Sequence, residues 1–385
     1  MKIISVVGAR PNFMKISPFI KAIDDYNAGN PAEPVDHILV HTGQHYDDRM
    51  SKKFFEELNI PDADINLGIG SGTHAEQVGR TMIEFEKVLV KEKPDWVVVV
   101  GDVNATLACA VTAKKESIKL CHIEAGLRSG DISMPEEINR IVTDRLSDLL
   151  LTPDKFSTEN LLREGVPKEN IKLVGNIMID TLEANREKAK NLSIDDIINE
   201  NCIIEDGTTP CSLPPAPCNY AVVTLHRPSN VDSKEVLEPI INFLAGEVTK
   251  DMPIIWPIHP RTERKLKEFS LWDDLLGNEM IIMLKPLGYH EMLKLNIEAS
   301  HFISDSGGLQ GECSVLDTPN LVMRDTTEWL VTLTENGGNN ILAGKGIDSI
   351  KKNYHNIVNI KAGNTVPELW DGNTAPRCLS AILNY

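Results

Sequence analysis

Short apolar runs alternate with helical patterns along most of this chain. The runs in the first part are IISVVG, HILVHTG, WVVVVGD, KLCHIEAG, DLLLTP and IKLVGN, and those in the second part are YAVVTLH, MPIIWPIH, MIIMLKP, HFISDSGG and NLVMRD. Apolar strands separated by helices are typical of βα units that build a parallel sheet. The pattern therefore predicts an α/β fold with two doubly wound, Rossmann-like domains and a crevice between them.

Chain length and one break in the pattern predict the domain organisation. A chain of 385 residues exceeds the size at which a single hydrophobic core keeps growing. From Asp180 to Asn219 the periodicity fails, and the polar, proline-rich text predicts a linker or a surface excursion. We expect one domain over residues 1–174, a second over 175–363, and a segment over 364–385 that packs back on the first.

Composition limits the partners and the compartment that we expect. The 56 acidic residues outnumber 39 Lys and Arg, and a formal net charge of −17 disfavours DNA or RNA, although a local basic pocket can still bind one diphosphate. Gly8 and Pro11 interrupt the N-terminal run too early for a signal peptide, and no apolar run approaches the roughly 18 residues that span a bilayer. We therefore expect a cytoplasmic protein with no membrane contact.

The seven cysteines contain no CxxC pair. Their spacing therefore predicts neither a zinc site nor a disulfide framework, and we expect free thiols. Gly68, Gly70 and Gly72 resemble a dinucleotide fingerprint, but the third glycine is not at the spacing that this motif requires. GGNNILAGK likewise departs from the spacing of a P-loop. We predict neither a nicotinamide nor an ATP site.

Acidic residues concentrate where the predicted strands end. Asp102 follows the strand Trp96–Val100, Glu124 follows a strand near Ile118–Ile123, and Glu136 lies in the first turn of a helix that begins at Pro135. The carboxyl ends of parallel strands face the ligand site, so these three carboxylates can converge, with Arg140 one helical turn beyond Glu136. A structural role as helix or strand caps is the alternative for each carboxylate.

Other strand ends carry groups suited to anions. In the first half, Arg10 and Lys15 follow the turn at the end of the first strand. In the second half, Ser306, Gly307 and Gly308 stand between a strand and a helix, where backbone N–H groups can approach a phosphate closely. A surface ion pair and a simple tight turn are the respective alternatives.

Two histidines occupy equivalent ends of second-half strands. His226 is followed by Arg227, and His259 is followed by Pro260 and Arg261. Such His and Arg pairs suit a diphosphate leaving group, which must be both neutralised and protonated.

Taken in order, nine motifs resemble one family. They are GARPNFMK, HTGQHYD, GDVNATLA, HIEAGLRSGD, PEEINR, VGNIMID, LHRPSN, DSGGLQGE and MRDTTEW, and they cover nearly the whole chain. Together they resemble the non-hydrolysing UDP-N-acetylglucosamine 2-epimerases, which have the glycosyltransferase-B fold. HIEAGLR in particular resembles the non-hydrolysing branch rather than the branch that releases free N-acetylmannosamine.

The resemblance implies an isomerase that needs no cofactor and no metal. It implies that UDP-GlcNAc and UDP-ManNAc interconvert in polysaccharide biosynthesis. The C2 proton is removed, UDP leaves by anti elimination to give 2-acetamidoglucal, and UDP adds again after reprotonation on the other face. The resemblance also implies a nucleotide-binding second domain and a homodimer.

Site roles come from the same resemblance. It places Asp102, Glu124 and Glu136 at the sugar as acid/base and charge-stabilising groups, with His226 near the β-phosphate. The phosphates would be held by Arg10, Ser306 and Gly307, with Gly308 alongside. Glu312 would bind the ribose hydroxyls, and the backbone of Pro286–Met292 would bind the uracil. Arg140 would orient a carboxylate or phosphate. Which carboxylate takes the C2 proton stays open, because interacting carboxylates titrate as a set.

Departures from the commoner family pattern leave alternatives for the substrate. Gly311 precedes Glu312 where the pattern has two acidic residues, and Trp329 replaces an arginine after TTE. The EW form resembles relatives that epimerise UDP-2,3-diacetamido-2,3-dideoxyglucuronate, which is the alternative substrate. A catalytically weak nucleotide-sugar binding protein and a glycosyltransferase are further alternatives. Tyr46 and Asp47 leave open whether a second, activating UDP-GlcNAc site exists.

Overall fold

The predicted apolar runs form the strands of two parallel sheets in the computed structural model, which describes residues 1–43, 58, 61–204, 219–344, 346–360, 363 and 366–385. The chain divides into two compact units. The first contains Met1–Ala184 and Glu368–Tyr385, and the second contains Asn185–Pro367. The predicted fold class, α/β with two doubly wound Rossmann-like domains, is confirmed.

The first unit contains a seven-stranded sheet in the order β3-β2-β1-β4-β5-β6-β7. Its strands are β1 Lys2–Val7, β2 Asp36–His41, β3 Ile65–Asn66, β4 Trp96–Val100, β5 Lys119–Ile123, β6 Leu149–Thr152 and β7 Ile171–Leu173. All neighbours pair in parallel. The strand order reverses between β1 and β4, so the carboxyl ends of these strands form a topological switch point, where such sheets bind ligands.

The second unit contains a six-stranded parallel sheet in the order β10-β9-β8-β11-β12-β13. Its strands are β8 Ala221–Thr224, β9 Ile254–Pro257, β10 Ile281–Leu284, β11 His301–Ser304, β12 Asn320–Val322 and β13 Asn340–Leu342. The switch point of this sheet lies between β8 and β11. Asp305 directly follows β11, and His226 lies two residues after the end of β8.

Helices connect the strands in both units. In chain order they are Arg10–Ala28, His74–Glu92, Asn104–Lys115, Pro135–Leu146, Lys155–Arg163, Ile177–Lys190, Ile194–Asn201, Pro228–Val231, Lys234–Phe243, Thr249–Asp251, Pro260–Glu268, Trp272–Leu276, Tyr289–Glu298, Gly307–Leu316, Ile347–Ile357 and Thr374–Leu383. A π-helical turn occupies Leu244–Val248, and short 3₁₀ turns occupy Lys168–Asn170, Leu330–Thr332 and Thr334–Asn336. Among the described residues, no helix combines the length and the apolar character needed to cross a membrane.

Each unit has its own hydrophobic core. In the first, Val97 and Val99 of β4 pack with Phe85 of the helix His74–Glu92. In the second, Trp256 of β9 packs in a cluster with Phe243, and both side chains are almost fully buried. Both faces of a parallel sheet are covered by helices, which explains why the strands read as nearly continuous apolar runs.

The interpretation of residues 180–219 as a linker is wrong for the part that the structure describes. The helices Ile177–Lys190 and Ile194–Asn201 occupy much of it. The second helix buries Ile197 and Ile198 on one face, and Ser193 caps it by accepting a hydrogen bond from the backbone N–H of Asp196 at 3.3 Å. Polar residues between the isoleucines obscured this helical spacing, and residues 205–218 lie outside the described residues.

The C-terminal segment lies in the first unit. Trp370 donates its indole N–H to the carbonyl of Pro153 at 2.8 Å. The buried Asp180 carboxylate accepts the backbone N–H groups of Thr374 and Ala375 at the start of the last helix. The chain passes between the units after Ala184 and after Pro367, whereas the sequence pattern places these boundaries after residues 174 and 363.

One cysteine departs from the prediction of free thiols. Cys202 is disulfide-bonded, and the pairing could not be read from a spacing that matches no common framework. Four other cysteines are free and buried, namely Cys109, Cys121, Cys313 and Cys378. The remaining two, Cys211 and Cys218, lie outside the described residues.

Candidate active site

Two predicted catalytic residues follow neighbouring strands of the first sheet. β4 pairs with β5 so that Val100 lies opposite Ile123, and the backbone N–H of Gly101 donates to the carbonyl of Ile123 at 3.2 Å. This register places Asp102 and Glu124 at the same sheet edge. We call Asp102 and Glu124, with Lys15 and Arg140, the carboxylate cluster.

Glu124 is buried and strained. The residue is only 5% exposed, and its backbone φ of 69° lies in the left-handed region that glycine favours. The carboxylate forms an ion pair with the ammonium of Lys15 through Oε2. Its other oxygen, Oε1, is buried and has no hydrogen-bond partner in the part of the chain that the structure describes. Strained backbone and unsatisfied buried oxygens are concentrated at functional sites.

Gly101 packs directly against this ion pair. Its φ is 68°, and a Cβ atom there would lie 3.2 Å from Lys15 Nζ and 3.5 Å from Glu124 Oε2. Only glycine combines this backbone conformation with such a close approach. The prediction that Lys15 binds phosphate stays a prediction, because in this structure its ammonium pairs with Glu124.

A buried arginine on the helix Pro135–Leu146 links Asp102 to a further carboxylate. Arg140 Nη1 lies 3.5 Å from Asp102 Oδ2, and its Nε lies 3.0 Å from Glu137 Oε2. Glu137 also accepts the backbone N–H groups of Ser129 and Gly130 at 3.0 Å each. Arg140 therefore lies within ion-pair distance of both carboxylates, and the side chain of Asp102 is one-third exposed. Glu137 was not among the predicted site residues, although its i, i+3 spacing from Arg140 indicated a possible contact on the helix.

Glu136 is not drawn into these contacts. Its side chain is exposed, and its backbone carbonyl, not its carboxylate, accepts a hydrogen bond from Arg140 at 3.2 Å. Glu136 and Arg140 are four residues apart, as the sequence indicates, but the carboxylate that pairs with Arg140 is that of Glu137, which is also held by the two loop amides. The assignment of Glu136 to catalysis stays a prediction.

A buried histidine in β5 was not among the predicted site residues. His122 is fully buried, with Nδ1 at 2.6 Å from Asp144 Oδ1 and Nε2 at 2.9 Å from the carbonyl of Gly101. The available signal was a histidine inside an otherwise apolar central strand, KLCHI, since a buried polar ring needs partners.

The second sheet carries His226 at its switch point. His226 Nδ1 lies 2.7 Å from Asp305 Oδ1, and the His226 side chain is 41% exposed. Asp305 also accepts the backbone N–H groups of His226 and Arg227. Burial acts to raise the pKa of Asp305, but the bonds from His226 and the backbone outweigh it and hold the pKa below its usual value. Asp305 thus fixes the ring with Nδ1 protonated and leaves Nε2 for a ligand.

His259, at the end of β9, stands beside His226. The two ring centroids are 5.5 Å apart, and His259 Nδ1 accepts the backbone N–H of Arg261 at 3.1 Å. Burial and the neighbouring His226 ring lower the pKa of His259. The ring is therefore neutral near pH 7 and can donate a hydrogen bond from Nε2. Arg261 itself pairs with Asp232 at 2.5 Å.

The predicted phosphate loop opens the helix Gly307–Leu316. Ser306 is the N-cap residue without a side-chain cap bond, and its own N–H donates to Ser304 Oγ at 3.0 Å. No acidic residue lies in the first turn, so its free N–H groups favour an anion. A Cβ atom on Gly307 would lie 2.9 Å from Glu328 Oε1, whereas one on Gly308 would meet nothing within 4 Å.

Glu312 lies further along the same helix. It is buried, and burial raises its pKa to about 7 although the hydroxyl of Tyr289 donates to Oε1 at 3.3 Å. Tyr289 belongs to the Pro286–Met292 segment. The structure therefore brings together the residue predicted for ribose and the segment predicted for uracil.

The departures from the family pattern lie beside the phosphate loop. Trp329 is buried, and its Nε1 lies 3.9 Å from the position that a Cβ atom on Gly307 would occupy. Arg324 and Glu328 form an ion pair at 2.8 Å against the same glycine. Gly311 is buried in the helix.

Some predicted groups cannot be placed. The helix Arg10–Ala28 begins at Arg10, but the Arg10 side chain lies outside the described part of the structure, as do Tyr46 and Asp47. In the described residues, no cluster of histidine, cysteine and carboxylate side chains is arranged to hold a metal ion.

This chain is similar to known proteins over most of its length. A family model described as UDP-N-acetylglucosamine 2-epimerase matches residues 28–383. A UDP-N-acetylglucosamine 2-epimerase of Methanocaldococcus jannaschii is 43% identical, covering 94% of this chain and 93% of the relative. A UDP-2,3-diacetamido-2,3-dideoxy-D-glucuronate 2-epimerase of Pseudomonas aeruginosa is 37% identical, covering 91% and 90%.

A solved structure extends the likeness to the fold. The crystal structure of M. jannaschii UDP-GlcNAc 2-epimerase in complex with UDP-GlcNAc and UDP matches with a TM-score of 0.86 and 40% identity, covering all of both chains. The glycosyltransferase-B type of fold expected from the motifs is thereby confirmed.

Proposed function

This chain belongs to the UDP-N-acetylglucosamine 2-epimerase family, and on that basis we propose that it interconverts UDP-GlcNAc and UDP-ManNAc by the non-hydrolysing route. It is an isomerase that acts on a UDP-sugar. The observation that carries the proposal is the carboxylate cluster, in which a strained, buried Glu124 lies beside Asp102 at a switch point.

The reaction begins at C2 of the sugar, which is a weak acid. A carboxylate takes the C2 proton while the C1–O bond to UDP breaks and the C1=C2 bond of 2-acetamidoglucal forms. Asp102, Glu124 and Glu136 remain the candidates, and Glu124 is supported as the base by its Oε1, which has no hydrogen-bond partner among the described residues. Positive charge develops at C1 as UDP leaves, and carboxylates stabilise it. Reprotonation at the opposite face of C2 and addition of UDP to C1 complete the inversion.

The histidine site, formed by His226, His259, Asp305 and the first turn of the helix Gly307–Leu316, suits the leaving diphosphate. His226 is held at Nδ1 by Asp305 and, in its imidazolium form, presents an Nε2–H that protonates or hydrogen-bonds the departing oxygen. Ser306, Gly307 and Gly308 supply N–H groups to phosphate oxygens. Glu312 and the Pro286–Met292 segment serve the nucleoside, and Arg10 serves the diphosphate as the family resemblance implies.

A second substrate has specific support. UDP-2,3-diacetamido-2,3-dideoxyglucuronate would undergo the same chemistry at C2, and Trp329 beside Gly307 supports this alternative. The relative from P. aeruginosa that is named for this sugar lies within a few per cent identity of the leading relatives.

Proton NMR in D₂O distinguishes these possibilities. The purified protein is incubated with UDP-GlcNAc and, separately, with the diacetamido-uronate, while the anomeric and C2 signals are followed. UDP-ManNAc with deuterium at C2 supports the proposal, and turnover of the uronate alone supports the alternative. Absence of exchange with both sugars would instead favour a nucleotide-sugar binding protein, and an Asp102→Asn variant serves as the inactive control.

The finer expectations belong to the same proposal. We expect a homodimer and a cytoplasmic role in polysaccharide biosynthesis. Light scattering after size-exclusion chromatography tests the assembly, because a dimer has twice the chain mass of 42.7 kDa.

A further inference from the structure

The loop segments that carry Asp102 and Glu124 are held by one buried pair. The carbonyl of Gly101, the residue before Asp102, faces His122 Nε2 at 2.9 Å. The other ring nitrogen of His122 faces Asp144 Oδ1 at 2.6 Å. Both members of the pair are almost completely excluded from solvent.

Asp144 also reaches the segment after Glu124. Its second oxygen, Oδ2, accepts the backbone N–H of Gly126 at 3.0 Å and the guanidinium of Arg128 at 2.7 Å. Gly126 has a φ of 84°, and its carbonyl accepts from Asn160 at 3.0 Å, so this peptide is held on both sides. One carboxylate therefore ties the turn after β5 to the histidine within β5.

The hydrogen bonds define which groups of the pair accept. Burial acts to raise the pKa of Asp144, but His122 and Arg128 outweigh it and hold the pKa below its usual value. Asp144 is therefore a carboxylate and accepts from Nδ1, while the carbonyl of Gly101 can only accept from Nε2. Both ring nitrogens of His122 are therefore engaged, one by a carboxylate and the other by a backbone carbonyl.

The pair is close to the cluster without being part of it. His122 and Asp144 are buried, and they bind the backbone of Gly101, which precedes Asp102, and of Gly126, which lies two residues after Glu124. Glu124, in the left-handed region, therefore lies between His122 itself and a residue that Asp144 holds. Such a conformation persists only where the surroundings determine it strongly.

We propose that His122 and Asp144 form a positioning pair that sets the geometry of Asp102 and Glu124 for proton transfer at the sugar. This role rests on the proposed epimerase function. A positioning pair contributes to kcat because displacement of a catalytic group by about 1 Å can slow a reaction on the order of a hundredfold.

The test measures His122→Gln, Asp144→Asn and the double variant beside the wild type. Glutamine can donate one of the two bonds, and asparagine keeps the shape but not the charge. We expect kcat to fall about tenfold to a hundredfold in each single variant, with KM and the Kd for UDP within about threefold. We expect the double variant to lose no more than the worse single variant, because the two residues act as a unit.

Glu164→Gln is the matched control. Glu164 belongs to the outer end of the same network, where it binds Arg128 at 2.7 Å and is 43% exposed. We expect its kcat to stay within about twofold of the wild type. Thermal unfolding of every variant separates loss of folded protein from loss of turnover per folded molecule.

The outcomes distinguish failure of the positioning pair from failure of the proposed function. Full kcat in His122→Gln and Asp144→Asn, with only lower unfolding midpoints, would show a purely structural pair and overturn the proposal. Additive losses in the double variant would also overturn it. Should His122→Gln not fold, the isosteric Asp144→Asn variant decides. A wild type inactive on both UDP-sugars would overturn the proposed function itself, which is visible before any variant is compared.

Discussion

Glu124 combines three properties that seldom occur in one carboxylate. It is buried, its φ is positive, and one of its oxygens has no partner among the described residues although the other pairs with Lys15. A positive φ in a residue with a side chain and an unsatisfied buried oxygen both oppose folding, by on the order of 1–3 kcal/mol each. Retention of these features at a sheet edge fits a group that is used on a ligand.

Replacement of either cluster carboxylate tests this interpretation. We expect Asp102→Asn and Glu124→Gln to abolish turnover, because neither amide can take a proton, and to leave the Kd for UDP within about tenfold. Epimerisation by NMR and UDP binding by calorimetry give the two quantities. A collapse of UDP affinity would mean that these side chains contact the nucleotide rather than the sugar.

Glu312 makes stability depend on pH near neutrality. Its folded pKa is raised from 4.5 to about 7, so the folded state holds its proton more tightly than the unfolded chain does. The contribution is fully present below about pH 4.5 and is lost as the pH rises through about 7. The difference corresponds to about 3 kcal/mol as an upper value.

Urea unfolding of the wild type and of Glu312→Gln from pH 4.5 to 8 measures this effect. We expect the free energy of unfolding of the wild type, relative to the variant, to decrease across this range. A difference that does not change with pH would contradict the raised pKa. Since other groups titrate in both proteins, only the difference between them carries the prediction.

At the level of elements, the ends of strands explain where the site residues lie. Asp102 and Glu124 follow β4 and β5, while His226 and Asp305 follow β8 and β11. In a parallel sheet the carboxyl ends of all strands meet at one edge, so residues distant in sequence become neighbours. The helix Pro135–Leu146 contributes through its second turn, where Arg140 reaches Asp102.

Two adjacent glycines at the start of the helix Gly307–Leu316 offer a matched pair of substitutions. A Cβ atom on Gly307 would lie 2.9 Å from Glu328 Oε1, whereas a Cβ atom on Gly308 would meet nothing within 4 Å. We expect Gly307→Ala to lower the free energy of unfolding, because Glu328 must move away from its pairing with Arg324. We expect Gly308→Ala to raise it by up to about 1 kcal/mol through helix propensity.

Urea unfolding at pH 7 compares the two alanine variants. Equal effects of the two substitutions would contradict the close approach of Glu328 to Gly307. UDP affinity measured in parallel shows whether the same glycine is needed for the phosphate, with a larger loss expected for Gly307→Ala.

For the whole molecule, each unit has its own sheet, core and candidate site. The histidine site lies in the second unit and the carboxylate cluster in the first. Hydrogen exchange with and without UDP reads both units in one experiment. We expect UDP to protect peptides that contain the first turn of the helix Gly307–Leu316, because its N–H groups bind phosphate, and to leave the peptide that contains β5 unchanged.

The reverse pattern would place the diphosphate elsewhere. Protection of β5 without protection of residues 306–310 would contradict the assignment of Ser306, Gly307 and Gly308. UDP-GlcNAc in place of UDP then shows whether the sugar adds protection after β4 and β5, where Asp102 and Glu124 lie.

The sequence by itself determined the architecture and the inventory of chemical groups. Short apolar runs rich in β-branched residues and bounded by turn residues favour strands buried on both faces, so two parallel sheets and the strand ends with Asp102, Glu124, His226 and Ser306 were readable. The helix Ile194–Asn201 could not be read from the sequence, because acidic residues lie between its isoleucines. Its periodicity is visible only in the burial of these isoleucines against the second unit's core.

Only the tertiary structure decided which group acts with which. Glu136 and Glu137 precede Arg140 by four and three residues, and both spacings permit a contact, but the loop amides of Ser129 and Gly130 select Glu137. Contacts across strands, such as His122 with Gly101 or His226 with Asp305, join residues with no sequence relation. Periodicity depends on neighbours along the chain and can therefore be read from the sequence. Hydrogen-bond partners depend on which distant segments the fold brings together.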